Sequence, residues 1–318
     1  MGETSLDGTV DRVTDGDTVR VLADGRLFKV RVLGLDTEES LPNPSKPVTP
    51  WGKAASAFAA SVLPPGAPVR IDFAGTEPVV AGGEIAVRYL DNYERPLGYL
   101  RLSAPVDGTS DFTELMIRRG YSPYFVKYGR AEDPGRDARY AAAERAAQVD
   151  DLGVWNQLAA NGAVTPEAAP RNYARLTVWW ELRARIVDGY RAARAAGAAV
   201  LDARIDYETL LDHAGRGEAA TVFMELKVGT TVGGVHHAIR SGSLAQPFQL
   251  FLPREDRAEV EAVKRLVANR YAADGEDRPR RGYAYVTGPL ELWRGRPQMV
   301  VEDPSQIADD PPGAARGA

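Results

Sequence analysis

Four short segments in the first third of the chain bring together acidic and basic side chains that could hydrolyse a phosphate ester. In chain order they read DGDT at 15–18, RVLGLDTEE at 31–39, WG at 51–52 and DNYERPLGY at 91–99. The chain has no cysteine and only three histidines, which excludes thiolate chemistry and disfavours a histidine-rich metal centre. Hydrolytic chemistry in this chain would therefore depend on carboxylates, arginines and a hard cation.

These residue types are sufficient for phosphodiester hydrolysis at neutral pH. The reaction needs charge neutralisation, a positioned water and a base, and a cation, two guanidiniums and one carboxylate can supply them. Glutamate is a weak base for water, so most of the acceleration would come from electrostatic stabilisation of the transition state.

Each residue also has an ordinary structural interpretation. Asp15 and Asp17 are typical of a hairpin turn, and taken alone they favour that interpretation. Arg31 and Arg95 are compatible with solvated charges or surface ion pairs, and Glu39 is compatible with an acidic loop. The joint spacing of the segments, rather than any single residue, favours a catalytic site.

The elements that must position these segments form a barrel-like pattern. Alternating residues over 8–33, interrupted by two Asp-Gly turn signals, predict strands, and further strands follow at VRIDF and IAVRYLDNYERPLGYLRL. Helices are predicted over 51–62, 112–120 and 134–148. The fold class is therefore α+β and mainly antiparallel, with a small OB-type five-stranded barrel flanked by helices.

The second half of the chain predicts another domain. We expect a first domain over 1–156 that carries the four segments, a linker over 157–172, an accessory domain over 173–308 and a disordered tail over 309–318. A helix over 173–195, strands near 199–207, 219–228 and 247–252, a helix over 254–273 and a hairpin over 283–302 predict a second OB-like β-barrel with helices. Trp179 and Trp180 are expected to pack on that first helix, and His236 and His237 to lie in a loop.

Taken in order, the four segments resemble the staphylococcal nuclease (thermonuclease) family over about residues 8–156, including a terminal Gly153-Val154-Trp155. A lone DGDT would be weak evidence. An arginine five positions before Asp36-Thr37, an acid two positions further on, and a later Tyr-x-Arg-x-x-Gly-Tyr are much more specific.

The resemblance implies a metal site and its cofactor. One Ca²⁺ would be held by the carboxylates of Asp17 and Asp36 and by the backbone carbonyl of Thr37, with water or substrate oxygens completing the shell. The same resemblance makes Glu39 the general base.

The resemblance also assigns the phosphate contacts. Arg31 and Arg95 match the two arginines that bind the phosphate, and Tyr93 matches a residue that forms a hydrogen bond with a substrate phosphate. The products expected from the family are 3′-phosphate and 5′-hydroxyl ends.

The chain departs from the family pattern in three respects. Glu38 replaces a common proline, which could alter metal affinity or compete with Glu39 for the role of base, and Asn92 replaces a lysine that contacts substrate. Residues 1–160 contain 18 basic and 23 acidic residues, unlike the basic archetype of the family. Weaker and more salt-sensitive binding of polyanions is therefore expected.

A local basic and aromatic segment over 118–139 compensates for this acidity. Lys127 lies among aromatic residues there, and Tyr124 and Tyr128 are candidates for stacking on the bases of single-stranded DNA or RNA. The equally weighted alternative is that the aromatic rings belong to the core and the charges to a solvated rim.

The sequence thus predicts a Ca²⁺-dependent nuclease acting on DNA or RNA. The alternatives are a catalytically silent scaffold that binds nucleic acid or protein, and a phosphodiesterase for a small nucleotide. The second domain could grip substrate or dock a protein partner. No membrane segment or signal peptide is visible, so a cytoplasmic location is expected, or secretion if the sequence is a mature form.

Overall fold

The computed structural model describes residues 4–42, 46–76, 78–81, 84–156, 171–243, 245–272 and 279–313. They fall into two units, Met1–Trp180 and Glu181–Ala318. Most of the expected linker, residues 157–170, lies outside the described residues. The boundary at Trp180 is later than expected, because Arg171 and Tyr173 are buried in the first unit.

A closed five-stranded barrel forms the first unit and confirms the predicted fold. The strands of this unit are β1 (Ser5–Asp15), β2 (Thr18–Ala23), β3 (Arg26–Val32), β4 (Pro68–Asp72), β5 (Val80–Ala81), β6 (Glu84–Ile85), β7 (Leu97–Val106) and β8 (Thr109–Asp111). The barrel order is β3-β2-β1-β4-β7, closed by a parallel pairing of β3 with β7, and its other pairings are antiparallel. Alternation places Val19 and Val21 in the core while Leu22 is exposed.

The helices of the first unit begin at residues that the sequence marks as caps. They are α1 (Pro50–Val62), α2 (Phe112–Arg118), α3 (Pro134–Val149) and α4 (Tyr173–Ala195), of which the last continues into the second unit. The Thr49 side chain accepts a hydrogen bond from the Gly52 amide, and Pro50 occupies the first turn of α1. Asp111 and Asp133 cap α2 and α3 in the same way. These caps fix where each helix starts against the barrel.

The Gly153-Val154-Trp155 motif closes the first unit through a close backbone approach. The Val154 amide donates to the Gly120 carbonyl at 2.8 Å. A Cβ atom added at Gly153 would lie 1.9 Å from the Gly120 carbonyl oxygen, so only glycine fits there. The motif is therefore explained by packing at the end of α2 rather than by chemistry.

The second unit is rich in sheet and carries helices, as predicted. Its elements are β9 (Val200–Asp202), α5 (Tyr207–Arg216), β10 (Ala219–Glu225), β11 (Thr230–Val232), β12 (His236–Gly242), β13 (Pro247–Leu252), α6 (Ala258–Leu266) with a π-helical turn (Val267–Tyr271), β14 (Tyr283–Trp293), β15 (Arg296–Val300) and β16 (Ile307–Ala308). The strand order is β11-β12-β13-β15-β14-β10-β9, and β16 pairs with β14.

Two details of this unit differ from the sequence prediction. His236 and His237 open strand β12 instead of lying in a loop, because the two glycines before them form the turn of the β11–β12 hairpin. Helix α5 was not predicted.

Among the described residues, no helix of either unit is long and apolar enough to cross a membrane.

The start of the expected disordered tail belongs to the folded second unit. Asp309 accepts hydrogen bonds from the Tyr271 hydroxyl at 2.7 Å and from Arg270, and it forms an ion pair with Arg281 at 3.1 Å. The prediction of disorder is therefore wrong for Asp309, while residues 314–318 lie outside the described residues.

Candidate active site

The centre of the site is a buried arginine that contacts two aspartates. The hairpin register pairs Thr18 with Arg31, and the Val32 amide donates to the Asp17 carbonyl at 2.9 Å, so Asp17 and Arg31 are neighbours. Arg31 Nη2 lies 3.2 Å from Asp17 Oδ2 and 3.3 Å from Asp36 Oδ1. The structure thus brings together three residues that the sequence placed in one site.

Thr37 packs against the turn that contains Gly16 and Asp17. Its amide donates to Asp17 Oδ2 at 3.2 Å, and its side chain is buried. A Cβ atom added at Gly16 would lie 2.8 Å from Thr37 Oγ1, which explains why glycine separates Asp15 from Asp17. The preceding residue is fixed as well, because the Asp36 amide donates to the buried Ser122 hydroxyl at 2.8 Å.

Glu39 lies beside this centre and shares a cation with Asp36. Lys46 Nζ is 3.6 Å from Asp36 Oδ1 and 3.8 Å from Glu39 Oε1. Lys46 was not among the predicted site residues, because it lies in a proline-rich segment (residues 40–50) and has no sequence signal other than its charge. Its ammonium group lies within ion-pair distance of both carboxylates.

Arg95 is oriented by Asp91, at the start of the segment that contains both residues. Strand β7 pairs with β3 through Arg31 and Leu97, which brings Arg95 to the same edge of the barrel. Asp91 is fully buried, and its Oδ2 accepts from Arg95 Nε at 2.8 Å and pairs with Arg95 Nη2 at 2.6 Å. The i,i+4 spacing of an acid and an arginine was the sequence signal that could have identified Asp91.

Tyr93 lies between these two residues in the chain and is exposed. Its side chain is 75% accessible, and Arg95 Cζ lies 5.3 Å from the centroid of its ring. The exposed Tyr93 side chain is therefore accessible to a ligand that binds at Arg95.

Of the three candidates in the basic and aromatic segment, two lie at the site and one does not. Lys127 and Tyr128 are half-buried, and Lys127 Nζ is 5.8 Å from the Tyr128 ring centroid. Burial raises the pKa of Tyr128 to about 12, and its charged neighbours are Arg31, Asp91, Arg95 and Asp36. These neighbours place Tyr128 beside the candidate catalytic groups.

Tyr124 is a core residue, so its interpretation as a base-stacking residue is wrong. It is 5% exposed, its hydroxyl donates to Asp137 at 2.7 Å, and its ring packs edge-on against Tyr140. Both ends of the side chain are therefore occupied within the protein.

The electrostatics of the site shift the pKa values of two of its carboxylates in opposite directions. Burial alone would raise the pKa of Asp36, but Lys46, Arg31, Lys127 and Arg171 hold it below its ordinary value. In contrast, burial and the nearby charge of Asp17 raise the pKa of Asp15 to about 6. Asp36 thus remains charged and able to bind a cation.

The residues present fit the calcium ion that the family resemblance implies. Among the described residues, no group of three or more histidine, aspartate or glutamate side chains is arranged as a metal cluster. Asp17 and Asp36 nevertheless converge on one Arg31 nitrogen, and the buried Thr37 Oγ1 beside them has no hydrogen-bond partner within the described part of the chain. Two carboxylates and neutral oxygens suit a hard cation that takes its remaining ligands from water or substrate.

Glu38 does not compete with Glu39 for the role of base. Its side chain is 2% exposed, and Oε1 accepts from Arg171 Nη1 at 2.6 Å. Thr49 Oγ1 donates to Oε2 at 2.6 Å. The departure from proline at this position therefore creates a buried ion pair rather than a second candidate base.

In the Trp51-Gly52 motif, the glycine is required because the backbone of Glu39 passes directly against it. A Cβ atom added at Gly52 would lie 2.1 Å from the Glu39 carbonyl oxygen and 2.8 Å from that of Glu38. The start of α1 therefore supports the loop that carries the candidate base.

Gly52→Ala is expected to destabilise the protein and to lower its activity. Overpacking of this kind typically costs about 1–3 kcal/mol, and displacement of Glu39 should lower kcat further. Urea denaturation and kcat measured well below the melting temperature test the two effects separately. Gly189→Ala on α4 is the matched control, because no atom lies within 4 Å of the added Cβ. Equal stability of Gly52→Ala and wild type would contradict the prediction.

Comparisons with known proteins agree with this geometry. The family described as Staphylococcal nuclease homologue matches residues 29–157. A thermonuclease of Staphylococcus intermedius is 31% identical over 148 residues, which cover 46% of this chain and 75% of that protein. A thermonuclease of Staphylococcus hyicus is 32% identical over 136 residues, covering 41% of this chain and 69% of that protein.

A third relative is larger. Endonuclease YhcR of Bacillus subtilis (strain 168) is 27% identical over 161 residues, which cover 49% of this chain but 12% of that protein. The family match, like the closed barrel and the residues gathered at its edge, lies in the first unit. The chain therefore belongs to the staphylococcal nuclease family.

Proposed function

We propose that this protein is a Ca²⁺-dependent nuclease that hydrolyses phosphodiester bonds of DNA or RNA. The observation that carries the proposal is the contact of Arg31 with both Asp17 and Asp36, with Glu39 held beside Asp36 through Lys46. The relatives named thermonuclease and endonuclease support nuclease chemistry for the family.

The two arginines are suited to binding a phosphodiester and the additional charge of its transition state. Arg31 donates from Nη1 to the Val32 carbonyl at 3.0 Å, and its aspartate contacts hold the guanidinium plane in place. Arg95 is held by Asp91 in the same manner. Planar guanidiniums fixed in this way can pair with non-bridging oxygens without reorganisation during the reaction.

Glu39 is proposed to accept the proton of the attacking water. Its carboxylate is about one-fifth exposed, so water can reach it, and the neighbouring ion pair with Lys46 limits its motion. Because glutamate is a weak base, its contribution adds to the electrostatic effect of the arginines rather than replacing it.

Asp17, Asp36 and the backbone carbonyl of Thr37 are proposed to hold the calcium ion. When bound, the cation would polarise a phosphate oxygen and offset the charge that develops there. Without it, the negative charges of Asp17 and Asp36 are balanced by Arg31 and, at Asp36, also by Lys46.

Single-stranded nucleic acid is the proposed substrate form, with 3′-phosphate products. Tyr93 and Lys127 would contact phosphates next to the cleaved bond, and Tyr128 is the remaining candidate for stacking on a base. An unpaired strand presents its bases to such a ring, whereas a duplex does not.

Cleavage of a labelled single-stranded oligonucleotide, with calcium and with chelator, tests the proposal. We expect cleavage that the chelator abolishes, slower cleavage of a duplex of the same sequence, and little cleavage of a dinucleotide. Binding of the oligonucleotide without cleavage at any calcium concentration would support the silent scaffold instead. Preferential cleavage of the dinucleotide would support the small-nucleotide phosphodiesterase.

Calcium is also expected to raise the melting temperature, because a ligand that binds only the folded state stabilises it. At a calcium concentration about 100 times Kd, the free energy of unfolding should rise by about 2.7 kcal/mol. The double variant Asp17→Asn with Asp36→Asn should lose this increase. A melting curve that millimolar calcium does not shift would contradict the proposed metal site.

A further inference from the structure

The buried Glu38 joins the loop of the candidate base to a part of the chain outside the family match. Both of its carboxylate oxygens are engaged, Oε1 by Arg171 and Oε2 by Thr49 and the Tyr173 hydroxyl. A buried carboxylate with partners on both oxygens has one favourable orientation. The backbone of Glu38, and therefore of Glu39 beside it, is fixed by these contacts.

The remaining contacts of the loop also hold Glu38 and the backbone of Glu39. The Thr49 amide donates to the Glu39 carbonyl at 3.2 Å, and the Thr49 side chain both caps α1 and contacts Glu38. Gly52 lies directly against the Glu39 carbonyl. The loop is thus supported by α1 from one side and by Arg171 through Glu38.

The segment that carries Arg171 is anchored in the first unit. Arg171 is 8% exposed, and the start of α4 contributes a buried apolar stripe to that unit. The cluster that receives this stripe contains Tyr173, Leu176 and Trp180 packed with Phe125 and Val154, and Trp51 and Trp155 lie against it. Burial of this stripe holds Arg171 in position without any contribution from Glu38.

We propose that Arg171 is a positioning residue for the nuclease reaction, acting through Glu38 to hold Glu39, and that the catalytic domain of this chain therefore extends to Trp180. This inference rests on the proposed function. The family match ends at residue 157, so the extension is a feature of this chain and not of the matched region.

The test compares Arg171→Gln with wild type in the full chain. We expect kcat on a single-stranded oligonucleotide to fall by about 10- to 100-fold, with KM little changed, because displacement of a catalytic group by about 1 Å can have such an effect. Arg171→Lys keeps the positive charge but not the planar guanidinium, so its kcat should fall less than that of Arg171→Gln. The matched control is Arg175→Gln, an exposed arginine on the same helix, which should retain full activity.

The same substitution made in a Glu39→Gln chain distinguishes a positioning role of Arg171 from a general structural effect. If Arg171 acts by holding Glu39, Arg171→Gln should cause no further loss of kcat in a Glu39→Gln chain. An equal loss in both backgrounds would overturn the proposal. Should Arg171→Gln fail to fold, Tyr173→Phe removes only one hydroxyl from Glu38 and should show the same pattern with a smaller effect.

Hydrogen exchange separates this inference from the proposed function. The Thr37 amide donates a hydrogen bond to the Asp17 side chain, and the Thr49 amide donates one to the Glu39 carbonyl. They should exchange faster in Arg171→Gln than in Arg175→Gln or wild type. Unchanged exchange would show that Arg171 does not fix the loop, whether or not the protein cuts nucleic acid. An inactive wild-type chain would overturn the proposed function and the catalytic part of this inference, but not the exchange result.

Discussion

Arg31→Lys is expected to lower kcat by about a hundred- to a thousandfold, the usual effect of removing one preorganised donor to a developing anion. The Arg31 side chain is buried, and one guanidinium nitrogen contacts Asp17 while another donates to the Val32 carbonyl. A lysine keeps the positive charge but cannot place two parallel donors on a phosphate. The measurement is kcat for a single-stranded oligonucleotide at saturating calcium.

The matched control is Arg20→Lys on the adjacent strand β2. Arg20 forms a partly exposed ion pair with Asp11 at 3.1 Å, so the same substitution should leave kcat unchanged and alter stability little. Thermal unfolding must show that Arg31→Lys is folded at the assay temperature. A loss of kcat smaller than about tenfold in a folded variant would remove Arg31 from the proposed transition-state contacts.

The centre of the site was predictable because it depends on short-range rules. The Asp-Gly turns set the register of two hairpins, and this register alone makes Thr18 the partner of Arg31. Asp36 lies in the loop that follows strand β3, which ends at Val32. Local pattern and family spacing therefore indicated the same small group of residues, which the barrel brings into contact.

Contacts between distant parts of the chain could not be predicted in this way. Glu38 and Arg171 are separated by 133 positions, and the segment before Arg171 has the composition of a linker. No periodicity links them. The same limit applies to Tyr124, because a basic and aromatic segment looks alike whether its rings face the core or a ligand.

In the second unit, prediction from the sequence was limited by short strands and by parallel strand pairings. Short strands such as Thr230–Val232 leave too few residues for alternation to be recognised, and only the two glycines of the turn marked the hairpin. Its parallel pairings, β9 with β10 and β13 with β15, join strands that are not linked by a hairpin turn. Such pairings leave no local signal in the sequence.

Glu39→Gln is expected to lower kcat by about a hundred- to ten-thousandfold, the range typical of a lost general base. Glutamine has the same shape and keeps an oxygen that can accept from Lys46, so the loop should remain in place. Binding of the oligonucleotide should persist, because Arg31 and Arg95 are unaffected. The measurements are kcat and, separately, the dissociation constant of the oligonucleotide in calcium.

Glu132→Gln, an exposed glutamate of the same unit, is the control for loss of one negative charge and should cut at the wild-type rate. If Glu39→Gln lost both binding and cleavage, Glu39 would have to stabilise the bound complex rather than accept a proton. If it cut as fast as wild type, the base would lie elsewhere, and Asp36, which shares Lys46 with Glu39, would be the next candidate to test. Because Glu38 is buried and paired with Arg171, it is not available to replace Glu39.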